Sequence, residues 1–245
     1  MANLAQILVF VFMVVNLSLV VARCCPLTRR YINWEVIVTF SSFQYGKFCS
    51  DLDSYRLHAL LVEDFLATQV TELKIKMRDT GSLPSEVTLE SHDVDLDEIE
   101  NIFPSIQRRA EVIVSYSVLE HQMQQLCETY ENAIDSPIKL KDLASNGIID
   151  QCQKYLEKIA LVNFPKNNEA WKEVLFIQQI RNSLVHADGT IKTGNKVLRG
   201  YIKQSEHLDI TDDNKVILQS GFTVHCVDTY CHFLTDLYVS VSGEN

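Results

Sequence analysis

One short stretch of the sequence combines residue types that can act on a phosphate ester. Residues 180–186 place Arg181 five positions before His186, with Asn182 directly after the arginine. The planar guanidinium of arginine stays charged and can donate hydrogen bonds to two phosphate oxygens at once. Histidine exchanges protons near neutral pH and is therefore a common general acid or base. The stretch thus predicts proton transfer beside a phosphate group.

These groups make physical sense for the cleavage of RNA, because its 2′-hydroxyl is a nucleophile within the substrate itself. An enzyme must then remove the hydroxyl proton, protonate the leaving 5′-oxygen and stabilise the charged phosphorus centre. This route requires no metal, and we expect no cofactor, since the sequence has no C-x-x-C pair and no glycine-rich phosphate loop. The residue types are therefore compatible with metal-independent cleavage of RNA.

Helical spacing restricts how these residues can cooperate. Side chains five positions apart on a helix point about 140° apart, so Arg181 and His186 do not share one stripe. Asn182 and His186 are four positions apart and face the same way. One copy of the chain supplies a single arginine and a single histidine in this stretch, whereas cleavage needs more groups. A homodimer that brings two copies of the stretch together would supply them.

The surrounding sequence resembles the HEPN family. The stretch is similar to the R-x(4–6)-H motif of these domains, in the form where Asn follows Arg, and residues 116–121 resemble their opening helix. Residues 146–148 and 155–156 resemble the approach to their second helix pair. The resemblance implies a ribonuclease domain over residues 101–241, with Arg181, His186 and Asn182 as catalytic residues and Glu120 as an acidic partner that orients Arg181. It also implies a dimer with a composite cleft, and a prokaryotic toxin–antitoxin or antiviral defence setting in which an antitoxin is a partner to expect.

The pattern of apolar residues predicts an all-α fold, which the resemblance specifies as a HEPN-like helical bundle with a small β-hairpin. Helices are expected over residues 52–77, 105–133, 148–159, 170–186 and 222–239, and the hairpin over residues 208–218. Residues 31–48 fit either a strand or a helix. Residues 24–100 are accordingly a helical spacer with an acidic linker, placed before the domain at 101–241. The first expected helix carries an apolar stripe at helical spacing, formed by Leu57, Leu60, Leu61, Phe65 and Leu66.

Residues 1–23 form an apolar N-terminal segment. Residues 1–22 contain no charged side chain, and residues 4–22 approach the ~20 apolar residues that span a bilayer as a helix. Arg23, Arg29 and Arg30 follow the segment and no Lys or Arg precedes it. The positive-inside tendency then predicts a transmembrane anchor with the C-terminal domain in the cytoplasm. The alternatives are a cleaved signal peptide, a buried apolar helix and a wrongly assigned start codon, the last two compatible with a cytoplasmic protein.

The overall charge narrows the ways in which the chain could hold RNA. A net charge of −10 excludes a protein that coats nucleic acid by electrostatics alone, so contact with RNA requires a local site or a partner.

The seven scattered cysteines are expected as reduced, packed thiols. Two other functions stay open, an inactive HEPN-like module that binds RNA, nucleotide or a protein, and a membrane-associated helical adaptor. Four further histidines are expected as surface or packed residues: His121, His207, His225 and His232.

Overall fold

Six α-helices and one β-hairpin make up the part of the chain that the structure, a computed structural model, describes: residues 34–80, 96–134 and 136–242. The strands β1 (Leu208–Ile210) and β2 (Val216–Leu218) pair antiparallel, with Asp209 opposite Ile217. Short helical turns lie at Glu98–Ile102 and Leu140–Asp142. The all-α class with a small hairpin is therefore confirmed. The helices are α1 (Trp34–Thr80), α2 (Phe103–Ala133), α3 (Ile148–Lys158), α4 (Glu169–His186), α5 (Lys196–Gln204) and α6 (Phe222–Ser242).

Two sequence predictions fall outside the described residues. One is the apolar segment of residues 1–23, with the membrane anchor at residues 4–22, and the other is the greater part of the acidic linker, residues 81–95. Within the described residues, no helix is both long enough and apolar enough to cross a membrane.

The helices α2 and α6 run parallel through the centre of the bundle, and α1 and α4 pack on opposite sides of that pair. Thr223 of α6 donates a hydrogen bond to Glu111 of α2 over 3.0 Å. Further along both helices, the ring of Tyr116 lies edge-on to Tyr230 with centroids 6.4 Å apart. The ion pairs that join α1 and α4 to α2 follow the reverse order along the chain, so both outer helices are antiparallel to the central pair.

The contact that positions α4 is aromatic. Phe164, in the loop before α4, lies edge-on to Trp171 with ring centroids 4.8 Å apart, and Phe233 of α6 packs against both rings. All three side chains are buried. Burying a ring of this size contributes about 1.5–3 kcal/mol relative to leaving it in water. This contact fixes the start of α4 on α6 and so sets the position of residues 181–186 further along the same helix.

The first helix is longer than predicted, and most of its apolar stripe faces away from the bundle. Residues 31–48 were expected as either a strand or a helix, and over the described residues 34–48 the helix is right. The helix α1 continues unbroken to Thr80. Its inner face is buried at Phe48, Leu52 and Ala59. The outer face, however, exposes more than half of four predicted stripe residues, because a helix about 70 Å long contacts the bundle along one side only. These residues are Leu57, Leu60, Leu61 and Phe65, whereas Leu66 is half-buried.

Candidate functional site

Residues next to α4 in the sequence cap both ends of this helix, which carries Arg181 and His186. Asn168 accepts a hydrogen bond from a backbone N–H of the first turn over 2.7 Å and so caps the N-terminus. At the other end, the N–H groups of Ala187 and Gly189 both donate to the carbonyl of Ser183. Gly189 has a φ of 79°, a left-handed conformation that glycine adopts at little cost. The helix end predicted at His186 is confirmed.

Arg181 is held in place by three contacts, two of which are with α2. Its Nη2 lies 3.5 Å from Oε2 of Glu120, and its Nη1 donates to Oδ1 of Asn182 over 3.0 Å. The guanidinium carbon sits 5.1 Å from the centre of the Tyr116 ring, within cation–π distance. Only 20% of the Arg181 side chain is exposed. Three of the four predicted site residues, Arg181, Asn182 and Glu120, therefore lie together.

The guanidinium of Arg181 has unused hydrogen-bond donors. Each Nη carries two hydrogens, so one remains on each after the contacts with Asn182 and Glu120. Its Nε is buried and has no hydrogen-bond partner among the described residues. A buried donor without a partner is rare in folded proteins and costs about 1–3 kcal/mol. Arg181 is therefore fixed in position, and two of its Nη hydrogens have no acceptor among the described residues.

Glu120 lies in a place from which water is largely excluded. Its side chain is 14% exposed, and this burial raises its pKa, while the Arg181 guanidinium partly offsets the increase. Burial and the Glu120 carboxylate together raise the pKa of the Tyr116 hydroxyl. The negative charge of Glu120 thus depends on the arginine beside it, and the two side chains form one unit.

His186 lies at the far end of the same helix, and its side chain is exposed. In the described parts of the chain its ring has neither a hydrogen-bond partner nor an ion-pair partner. Asn182 is also exposed, and the spacing of four residues puts both side chains on one face of α4. Among the described residues, no hydrogen bond or ion pair joins His186 to Arg181.

Two cations contact the turn that follows His186, and no sequence pattern points to them. Asp188, two residues beyond the histidine, pairs with Arg109 of α2 and with Lys215 beside β2, both at 2.6 Å. Hydrogen bonds from these two cations hold the pKa of Asp188 at about 2, well below its usual value. The partners are 79 and 27 residues away along the chain, so no local pattern signals the contact. A cluster of two cations and one carboxylate thus lies at the turn that follows the exposed histidine.

Two of the other histidines lie close together beside Glu173 of α4. The rings of His207 and His225 have centroids 6.0 Å apart, and Nε2 of His225 lies 2.7 Å from Oε1 of Glu173. The hydroxyl of Tyr201 donates to the same carboxylate. Burial raises the pKa of Glu173, but the hydrogen bonds from His225 and Tyr201 bring it below its usual value. These histidines are part of a packed polar cluster, one of the two alternatives expected for them.

The remaining predicted groups fit the structural roles expected of them. His121 and His232 are exposed. The five described cysteines form no disulfide, so they are free thiols, and three of them are fully buried in the core: Cys127, Cys152 and Cys226.

Comparisons with protein-family models, with curated proteins and with solved structures find no match to this chain. Among the residues that the structure describes, no group of three or more His, Cys, Asp or Glu side chains is arranged to hold a metal ion. A function therefore has to be inferred from the residues of the chain and their geometry.

Proposed function

We propose that this chain is an endoribonuclease of the HEPN type, which cleaves RNA through its 2′-hydroxyl without a metal ion. The observation that carries the proposal is the contrast between two residues of one helix. Arg181 is fixed by Glu120 and Tyr116 with donors left over, whereas His186 is exposed and has no partner among the described residues. A phosphate-binding group needs a fixed position, and a group that exchanges protons with a substrate needs access to it.

The proposed reaction is a transfer of the phosphate within the RNA chain. The imidazole of His186 takes the proton from the 2′-hydroxyl, the O2′–P bond forms and the P–O5′ bond breaks. A protonated His186 of a second copy gives its proton to O5′. The products are a 2′,3′-cyclic phosphate and a 5′-hydroxyl. The free N–H groups of Arg181 donate to the non-bridging oxygens, where charge develops in the transition state.

The neighbouring residues have supporting roles in this proposal. Glu120 and Asn182 each accept a hydrogen bond or ion pair from Arg181 and keep its fork in one orientation. Arg109 and Lys215 provide the local positive charge that a chain with a net charge of −10 needs in order to hold RNA. The homodimer follows from the need for two histidines, and its composite cleft would join the α4 helices of two copies.

The biological setting is part of the same proposal. The resemblance to HEPN domains favours a toxin–antitoxin or antiviral defence system, in which an antitoxin would block the cleft. The apolar residues 4–22 would act as a membrane anchor that holds the domain in the cytoplasm.

A second function is favoured by the low exposure of Arg181, which is 20%. A guanidinium held mainly by its own chain could serve as a structural element of an inactive HEPN-like module that binds RNA, a nucleotide or a protein. The surface beside Arg109 and Lys215 would then be the binding site.

The test is incubation of the full chain with a mixed RNA pool in EDTA. We expect cleavage that leaves 2′,3′-cyclic phosphate ends, loss of cleavage in His186→Ala, and retention in the matched variant Val185→Ala, whose side chain is also exposed. A folded parent that binds RNA without cleaving it would support the binding module instead. A folded parent that neither binds nor cleaves RNA would contradict the RNA-directed function.

A further inference from the structure

Contacts at two places fix the register of α1 against α6. At the first, the ring of Tyr45 stacks on Tyr238 with centroids 4.9 Å apart, and its hydroxyl oxygen lies 2.8 Å from Oγ1 of Thr235. At the second, Arg56 of α1 pairs with Asp228 of α6. The numbering rises along one helix and falls along the other between these places, so the two helices pack antiparallel over this stretch.

Each of the two helices has a cysteine between these contacts. Cys49 follows Tyr45 by four positions, and Cys231 follows Asp228 by three. Residues at these spacings share one face of a helix, so each cysteine lies on the face that contacts the other helix. Both cysteines are half-buried. The register therefore brings Cys49 and Cys231 opposite each other at the margin of the α1–α6 interface.

The side chain of Tyr45 interacts with both thiols. Burial raises the pKa of its hydroxyl, the hydrogen bond with Thr235 lowers it, and Cys49 and Cys231 raise it further. Burial, followed by the charge of Cys49, raises the pKa of Cys231 to about 11. Interactions of this kind weaken with distance. They agree with the helix register in placing the two sulfur atoms near each other.

A second pair of cysteines is also close together but has no access to solvent. Sγ of Cys127 in α2 donates to the carbonyl oxygen of Cys152 in α3 over 3.8 Å. Both of these side chains are fully buried. A dissolved oxidant reacts with thiols that solvent reaches. Of the five described cysteines, Cys49 and Cys231 are therefore the pair that an oxidant can reach.

We propose that Cys49 and Cys231 form a reversible disulfide between α1 and α6 when hydrogen peroxide reaches the protein. In the first step, the O–O bond breaks, one oxygen is transferred to the sulfur of Cys49 as a sulfenic acid, and one water leaves. In the second step, the sulfur of Cys231 attacks that sulfur. The S–S bond forms, the S–O bond breaks, and the hydroxyl leaves as a second water with the proton of Cys231. The two thiols lose two electrons, and the peroxide gains them.

The order of the two steps follows from the environment of Cys231. Its raised pKa keeps it mostly protonated at neutral pH, and a protonated thiol reacts slowly with a dissolved oxidant. Cys231 is therefore assigned the second step, in which the sulfur that it attacks is held beside it. In a reducing compartment such a bond is transient and responds to oxidation. The inference does not rest on the proposed function.

Peptide mapping of the oxidised full chain tests the pairing. We expect treatment of the folded chain with hydrogen peroxide, then thiol blocking and digestion with chymotrypsin, to give peptides joined through Cys49 and Cys231. Dithiothreitol should release them, and Cys127 and Cys152 should stay reduced. Cleavage after Tyr230 separates Cys231 from the nearby cysteine at position 226. Absence of the Cys49–Cys231 link, or a link from Cys49 to any other cysteine in its place, would overturn the proposal.

A cysteine moved by one position on α6 provides the matched control. The double variant Cys231→Ser, His232→Cys turns the thiol by about 100° around the helix, onto an exposed position. Its link to Cys49 should fall by at least about tenfold at equal peroxide, because the sulfur atoms no longer face each other. The greater exposure of position 232 means that poor access cannot cause this loss, and circular dichroism should show the variant folded. Equal linkage in the parent and the folded variant would overturn the proposed geometry, as would a bond found between chains only.

Discussion

The two ends of residues 181–186 lie on one helix but in different environments. Arg181 contacts Glu120, Asn182 and the Tyr116 ring, and most of its side chain is buried. His186, one and a half turns later, is exposed and has no partner among the described residues. The arginine therefore belongs both to the fold and to the candidate site, whereas the histidine belongs to the site alone. Substitutions at the two positions should separate stability from activity.

The largest expected effect is the loss of activity at the histidine. We expect His186→Ala to lower the rate of RNA cleavage by about 10²–10⁴-fold, the usual contribution of a general acid or base. Its free energy of unfolding should stay within about 0.5 kcal/mol of the parent's, since an exposed side chain without partners is removed. Cleavage kinetics and urea unfolding on the same preparation check both statements. A clear loss of stability would mean that His186 has a structural role, and the contrast with Arg181 would fail.

The next effect concerns the arginine. Arg181→Ala leaves Glu120 without its ion-pair partner in a poorly hydrated place, and we expect a loss of about 1–3 kcal/mol in unfolding free energy. Cleavage should fall as well. Lys172→Ala is the control, because it removes an exposed ion pair on the same helix and should cost less than about 0.5 kcal/mol. An Arg181→Ala protein of unchanged stability would show that the guanidinium contributes nothing to the fold.

The pH dependence of Glu120 gives a smaller effect. Burial raises its pKa in the folded chain above the usual 4.5, even with Arg181 beside it. The folded state therefore binds this proton more tightly than the unfolded state, and stability falls as the pH rises from about 4.5 through the folded pKa. Glu120→Gln cannot ionise and escapes this loss. Its unfolding free energy should therefore rise relative to the parent's as the pH increases over that range. Urea unfolding between pH 4 and 7 measures the difference, and a constant difference would contradict it.

Local sequence patterns were enough to predict the fold class and the ends of α4. The hairpin depends on residues close together in the chain, and it is found where it was expected. The pairing of Arg181 with Glu120 followed from the resemblance, since 61 positions separate the two residues in the sequence. Spacing alone also predicted that Asn182 and His186 share a face.

Features that depend on long-range packing could not be predicted in the same way. The apolar spacing of residues 57–66 predicts a helix, but which of its faces is buried depends on where α2 and α6 lie. The contact of Asp188 with Arg109 and Lys215 depends on three elements meeting at the end of α4. A charged residue in a turn carries no sign of its partners in the sequence, so this ion-pair cluster could not be predicted without the structure.

The smallest expected effect concerns the turn that contains Asp188, two residues beyond His186. Asp188 has its pKa lowered to about 2 by Lys215 and Arg109, so its contribution to stability is present above the usual 3.8 and is lost as the pH falls towards 2. Asp188→Asn should abolish this dependence, which acid unfolding of the two proteins would measure.

The same substitution tests whether the cations beside His186 reach RNA. Asp188→Asn releases Arg109 and Lys215 from their carboxylate, so each cation becomes free to neutralise a phosphate. We expect RNA binding to tighten and the slope of log affinity against log salt to steepen by up to about 1 for each released cation. The control is Asp209→Asn, since Asp209 is an exposed carboxylate of the β-hairpin that has no ion pair among the described residues. An unchanged salt slope would place RNA away from this turn and would leave His186 without a local means of holding its substrate.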